Sequence, residues 1–237
     1  MMLAEVLFFA LGQEEKAADA KNFLRTTMQQ VQRAKTFEAT IEQHDANAIF
    51  PGNFVQRLRW QSGVGFELVI TERREASTEF PDFYSRGKVA TSVYRDMRRL
   101  TESIAPRPMY TPSWEVAAGL NFSFLTKSAL ATSLFAEPKP VPELKGQVPP
   151  DQQLPAPPKL TYSLGPRREW QGQSVREIIM ELSGEAPTRT SIFVHPTSRY
   201  VIGTEVELAN GDKGWMVYRD IKINGEMPSD LGLVPGG

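Results

Sequence analysis

The chain has 237 residues, enough for one large domain or two small ones, and 27 Lys and Arg against 28 Asp and Glu leave a formal charge of -1. That balance gives no electrostatic case for nucleic acid or for an anionic membrane surface. There is no cysteine, which removes disulfides, thiol catalysis and thiolate metal sites.

Leu3 to Leu11 is a short apolar run broken by Glu5 and too short to span a bilayer. No Lys or Arg precedes it, yet Ala10 and Gly12 stand at the spacing of a signal-peptidase site. Residues 1–13 therefore read either as a weak or truncated signal sequence or as a helical or disordered start. From Glu14 to Ala34, Ala17, Ala20, Leu24, Met28 and Val31 recur at helical spacing, which predicts an amphipathic helix packed on the body of the protein.

After Lys35 the period becomes two. Phe37, Ala39 and Ile41 alternate with Glu38, Thr40 and Glu42; Phe54, Leu58 and Trp60 oppose Arg57 and Arg59; Phe66, Leu68 and Ile70 oppose Glu67 and Thr71. These are strands with one apolar face. A fourth follows the turn Ser85-Arg86-Gly87-Lys88, carrying Val89, Thr91, Val93 and Arg95, and a further segment runs from Met97 to Ile104.

The middle departs from this pattern. Thr111-Pro112 reads as a cap with proline in the first helical turn, and Trp114, Val116, Leu120, Phe122, Phe124, Leu125, Leu130, Leu134 and Phe135 predict one or two short helices, divided near Gly119 to Ser123 and covered on most sides. Residues 137–158 hold eight of the 18 prolines. Proline fixes φ and removes a donor, so this stretch reads as an extended spacer inserted into one domain spanning 14–237.

The last third, Lys159 to Pro228, is a run of strand patterns: Ile178, Met180, Leu182; Thr190, Ile192, Val194; Tyr200, Ile202, Thr204, Val206, Leu208; and Trp215, Val217, Arg219, Ile221, Ile223. Short connectors separate them, Asn210-Gly211 being the strongest turn signal. The expectation is a seven-to-nine-strand antiparallel sheet with each of these stripes on its one buried face.

Catalytic chemistry finds no support. His195 beside Pro196 reads as a turn residue, and His44 has no third ligand near it in sequence. No phosphate loop or nucleophile elbow occurs. The sequence predicts a non-enzymatic protein with no metal and no cofactor.

The order of elements resembles the outer-membrane lipoprotein carrier (LolA-like) superfamily, which includes periplasmic stress-sensing regulators and mycobacterial lipid-binding lipoproteins. Phe37-Glu38-Ala39-Thr40-Ile41-Glu42-Gln43, Ser85-Arg86-Gly87-Lys88, Trp170-Gln171-Gly172 before Arg176 to Leu182, His195-Pro196-Thr197-Ser198 and the ending Tyr218 to Pro228 carry the resemblance. It implies an α+β fold: a strongly curved antiparallel sheet, an incomplete β-barrel, with the N-terminal and central helices on its concave face. Between them it implies an apolar pocket for a lipid or the acyl chain of a lipoprotein, in the periplasm or another exported location. Lined by Phe37, Ile41, Phe54, Leu58, Trp60, Phe66, Leu68 and Ile70 and closed by Trp114, Leu120 and Phe124, such a space suits an apolar ligand. The lipoprotein carriers have an Arg-Pro pair after the second strand where this chain reads Gln61-Ser62-Gly63. The resemblance is thus to a broader lipid-binding relative. The alternative is an envelope regulatory protein of the same fold that contacts a protein partner.

Overall fold

The computed structural model describes residues 18–45, 52–74, 79–104, 112–128, 131–132, 134, 159–183 and 188–236. The expectations for residues 1–13 and for the proline-rich stretch 137–158 lie outside them. Eleven strands form one antiparallel sheet: β1 (Thr36–Asp45), β2 (Phe54–Gln61), β3 (Gly65–Arg73), β4 (Asp82–Arg86), β5 (Val89–Val93), β6 (Arg99–Ser103), β7 (Leu160–Trp170), β8 (Gln173–Leu182), β9 (Thr188–Val194), β10 (Val201–Leu208) and β11 (Lys213–Ile223). Their spatial order is β6-β5-β4-β3-β2-β1-β11-β10-β9-β8-β7. The first and last strands pair with each other in the middle, from Phe37 opposite Ile223 to Asp45 opposite Gly214.

Each half of the sheet is a meander, and its turns carry the residues that tight turns require. The β1–β2 connection is clamped by the Asn53 side chain, which accepts from Asp45 N at 2.6 Å and donates to Asp45 O at 3.2 Å. Gly211 sits at φ 87 in the β10–β11 turn, a left-handed conformation that its lack of a Cβ permits. Two strands were not legible as alternation: β4 is only five residues long, and β7 contains Pro166. Proline is tolerated there because β7 is the edge strand and its register shifts between Leu164 and Arg167, so no ladder bond is lost.

Two helices lie on the concave face. The first, α1, covers residues 18–32 and turns Ala20, Leu24, Thr27 and Val31 inward, all fully buried, with Phe23 and Met28 partly buried beside them. The second, α2 (Ser113–Thr126), buries ten of its fourteen residues. Pro112 stands at its N-cap position, one residue earlier than the expected place in the first turn, and no side chain caps the helix. No helix of the described residues is long and apolar enough to cross a membrane.

The main core joins these helices to the sheet through Phe37, Ala39, Ile41, Leu58, Trp60, Phe66, Leu68, Phe83, Ile178, Met180, Ile192, Val194, Val201, Met216 and Tyr218. The expectation of one buried face fails in the last third. Ile202, Val217 and half-buried Trp215 point away from the helices and form a second cluster with Trp170, Val175 and Phe193. On β10 and β11 it is Val201, Met216 and Tyr218 that are buried in the main core, while Ile221 and Ile223 of the expected stripe are partly buried against it. Both rows are apolar, so alternation alone could not say which faces inward. Leu182, expected to be buried, is exposed near the end of the β7–β8 hairpin.

Candidate functional site

The eleven residues expected to line an apolar pocket fall on the concave side of β1, β2 and β3 and on α2. Nine of them, Phe37, Ile41, Leu58, Trp60, Phe66, Leu68, Trp114, Leu120 and Phe124, belong to the main core. Phe54 is buried and stacks on Phe80 at 5.4 Å between centroids. Ile70 is half-buried, near the outer end of β3. The contact between sheet and helix is aromatic: Phe66 meets Phe122 edge-on at 4.7 Å and Trp114 at 5.5 Å, and Trp114 meets Phe122 at 5.8 Å. These are attractive geometries for aromatic quadrupoles.

The geometry of α2 is set by a break. Gly119 has φ 70 and ψ -162 inside the helix, so the turn there opens. Into the opening comes the hydroxyl of Tyr218 from β11, which donates to Ala118 O at 2.5 Å and accepts from Asn121 N at 3.3 Å. Two backbone groups released by the break thereby regain partners. The side chain of the same Asn121 grips the start of β10: its Nδ2 donates to Val201 O at 2.6 Å and its Oδ1 accepts from Val201 N at 3.2 Å. Burial raises the Tyr218 hydroxyl far above the usual tyrosine range, so it stays a neutral donor. These polar residues were not read from the sequence. An Asn within an apolar run was the signal that could have found Asn121.

Glu115 lies on the same helix and is only 2% exposed. Its Oε2 has no hydrogen-bond partner, and burial pushes its carboxyl up to about 6 against the opposing hydrogen bond with Ser128. The Trp114 Nε1 is likewise buried and unpartnered.

Cavities open elsewhere on the molecule. A cleft of about 630 Å³ lies among the β7–β8 turn, the β9–β10 turn and the end of β11, lined by Gln171, Gln173, His195, Ser198, Arg219 and Asp220. His195 takes a turn role there, its Nδ1 accepting from Thr197 N at 3.3 Å and Ser198 N at 3.1 Å. A second space of about 770 Å³ lies between the convex face and the C-terminal segment, around Arg57, Arg59, Glu67 and Tyr84. His44 stacks on Trp215 at 5.3 Å.

No family model matches the chain, and no curated protein does. Solved structures do. The lipoprotein LppX from Mycobacterium tuberculosis is 10% identical, the match covering 89% of this chain and 98% of that one at a TM-score of 0.47. LprF from Mycobacterium bovis is 8% identical over 92% of this chain and 99% of the other, with a TM-score of 0.49. A LolA superfamily protein from Nitrosomonas europaea is 12% identical over 90% and 96%, with a TM-score of 0.35.

Proposed function

We propose that the protein binds a lipid or the acyl chain of a lipoprotein between the concave face of the sheet and α2, without catalysis, in the bacterial cell envelope. The observation that carries the reading is α2 itself, a helix apolar around most of its circumference and laid against an apolar sheet. Its polar ties to the sheet are few: the Asn121 pair with Val201 and the Tyr218 hydroxyl at the break. Separating such a helix from the sheet exposes apolar area to water, and an acyl chain that fills the gap keeps that area dry. The ligand then replaces helix contacts one for one, and Phe54, Ile41, Leu58, Trp60, Leu68 and Ile70 become its wall. Aromatic Trp114 and Phe124, with Leu120, close over it.

The test is lipid extraction from natively purified protein with mass spectrometry, beside titration with a fluorescent fatty-acid probe. Wild type should bind the probe saturably. Leu120→Asp, at the 9% exposed margin of the core, should still fold by thermal melt and lose the probe. Absence of both extractable lipid and saturable binding in wild type would defeat the reading. A second reading, an envelope protein that contacts a protein partner, would then lead. Exposed Val89, Met97 and Leu100 at the β5–β6 edge favour it, since an apolar sheet edge is a docking surface.

A further inference from the structure

The concave face carries two buried amides on neighbouring strands. Alternation puts Gln43 of β1 and Gln56 of β2 on the same side as Ile41, Leu58 and Trp60, with Gln56 paired to Ile41 on one side and Ile70 on the other. Gln43 pairs with Phe54, one diagonal step from Gln56, so their Cα atoms stand about 7–8 Å apart. Both are shut away from solvent, at 1% and 0% exposure. Gln43 Nε2 donates to Gly52 O at 2.8 Å, which fixes its amide and leaves Oε1 without a partner. Gln56 has no hydrogen-bond partner among the described residues at either end of its amide.

An amide held in an apolar wall with neither end bonded is costly, whereas Met or Leu would fill the same place without that cost. The position thus asks for a polar group that arrives from outside the chain. The charge pattern says which kind. Among the described residues the buried charged side chains are Glu67, Glu115 and Glu177. Glu67 meets Arg57 and Arg59, and Glu177 meets Arg168, on the convex side. That leaves the acid Glu115 on the helix side, and no buried Lys or Arg to receive a carboxylate or a phosphate there.

We infer that Gln56, with the Gln43 carbonyl beside it, is the polar anchor of the lipid site, and that the ligand it selects is an uncharged acyl ester of the monoacylglycerol kind. Gln56 Nε2 donates to the ester carbonyl, while the two side-chain oxygens accept from free hydroxyls. The acyl chain runs along the wall of Ile41 and Leu58. This inference rests on the lipid-binding reading and names the headgroup chemistry that reading leaves open.

The experiment compares wild type with Gln56→Met, using diphenylhexatriene as an all-hydrocarbon fluorophore and displacing it with 1-monooleoylglycerol or with oleate at pH 8. Diphenylhexatriene should bind both proteins within about twofold, since it offers nothing to the amide. Monooleoylglycerol should bind Gln56→Met at least about tenfold more weakly than wild type, and in wild type it should outcompete oleate. In parallel, the Gln56 side-chain amide resonances of the wild-type protein should move on adding monooleoylglycerol and stay in place with diphenylhexatriene, a readout that does not depend on the variant folding. Unchanged monooleoylglycerol affinity in a folded Gln56→Met, a preference for oleate, or static Gln56 resonances would each overturn the anchor while leaving lipid binding intact. Failure of diphenylhexatriene and monooleoylglycerol alike to bind wild type would overturn the lipid-binding reading and the anchor with it.

Discussion

Glu115 is the buried acid nearest the proposed ligand space, and its protonation should govern how firmly the helix is held. Its carboxyl titrates near 4.5 when exposed and is pushed up to about 6 by burial. Below 4.5 it is neutral in both folded and unfolded chains. Between the two values the folded state holds the extra proton, so stability falls as pH rises and levels off above about 6. The shift corresponds to about 2 kcal/mol. Glu115→Gln should therefore flatten this part of the profile and raise stability at pH 7 by up to about 2 kcal/mol, measured by urea denaturation from pH 4 to 8. A variant that keeps the wild-type slope would place the titrating group elsewhere. Residues of this kind are hard to read from sequence. Glu115 stands in an apolar stretch as one of its few charges, but nothing in the spacing says whether its side chain points to water. Phe37, Leu58 and Phe66 were legible because strand alternation fixes a side, and the burial of neighbours on either strand agrees with it.

At the scale of elements, the break in α2 depends on two residues that fit one another. A Cβ on Gly119 would lie 2.4 Å from the Tyr218 hydroxyl oxygen and 2.6 Å from Met216 Sδ, at a φ of +70 that side chains rarely adopt. Gly119→Ala should destabilise by about 1–3 kcal/mol. Tyr218→Phe strips the hydroxyl from Ala118 O and Asn121 N and should cost about 1–3 kcal/mol. Because the same hydroxyl causes part of the clash, the double variant should lose less than the sum of the single losses. Strict additivity in equilibrium unfolding would mean that hydroxyl and glycine act apart. The sequence placed the division near Gly119 correctly, since glycine in an apolar helix is a natural break. It could not name Tyr218, which lies about a hundred residues away and only approaches through the pairing of β1 with β11. The misjudged stripe of Trp215 and Val217 has a related cause. Trp170 packs so closely on the convex side that a Cβ on Gly203 would sit 2.5 Å from its ring, and that cover makes an outward row as apolar as the inward one.

For the whole molecule, the sheet is two meanders, β1–β6 and β7–β11, joined along one seam. Lys35 N donates to Asn224 Oδ1 at 2.7 Å and Thr36 Oγ1 to Gly225 O at 2.8 Å, so the seam is also fastened at its end by side chains. A fragment of residues 18–104 would keep five of the strand pairings but present the long edge of β1 and an uncovered apolar face. Such a fragment should self-associate, and sedimentation at micromolar concentration should show oligomers; a stable monomer would mean that the first meander is a folding unit by itself. The order of strands was legible in part. Matching strand lengths at both ends of the chain pointed to one sheet, while the count of eleven was not recoverable, because β4 is short and the proline in β7 hides its alternation.

The seam also ties the protein to its own synthesis. β1 leaves a ribosome long before β11, since partners such as Phe37 and Ile223 are separated by more than 180 residues of sequence. Local hairpins can form as they emerge, yet the edge of β1 that meets β11 has no mate until β11 has been made. Contacts of such long sequence separation form slowly because loop closure precedes their reward. Throughout the synthesis of the intervening segment the nascent chain consequently carries a naked strand and an oily surface, the state that holding chaperones recognise. If the chain is exported, secretion before closure would suit it, since an unclosed polypeptide is what a translocation channel accepts.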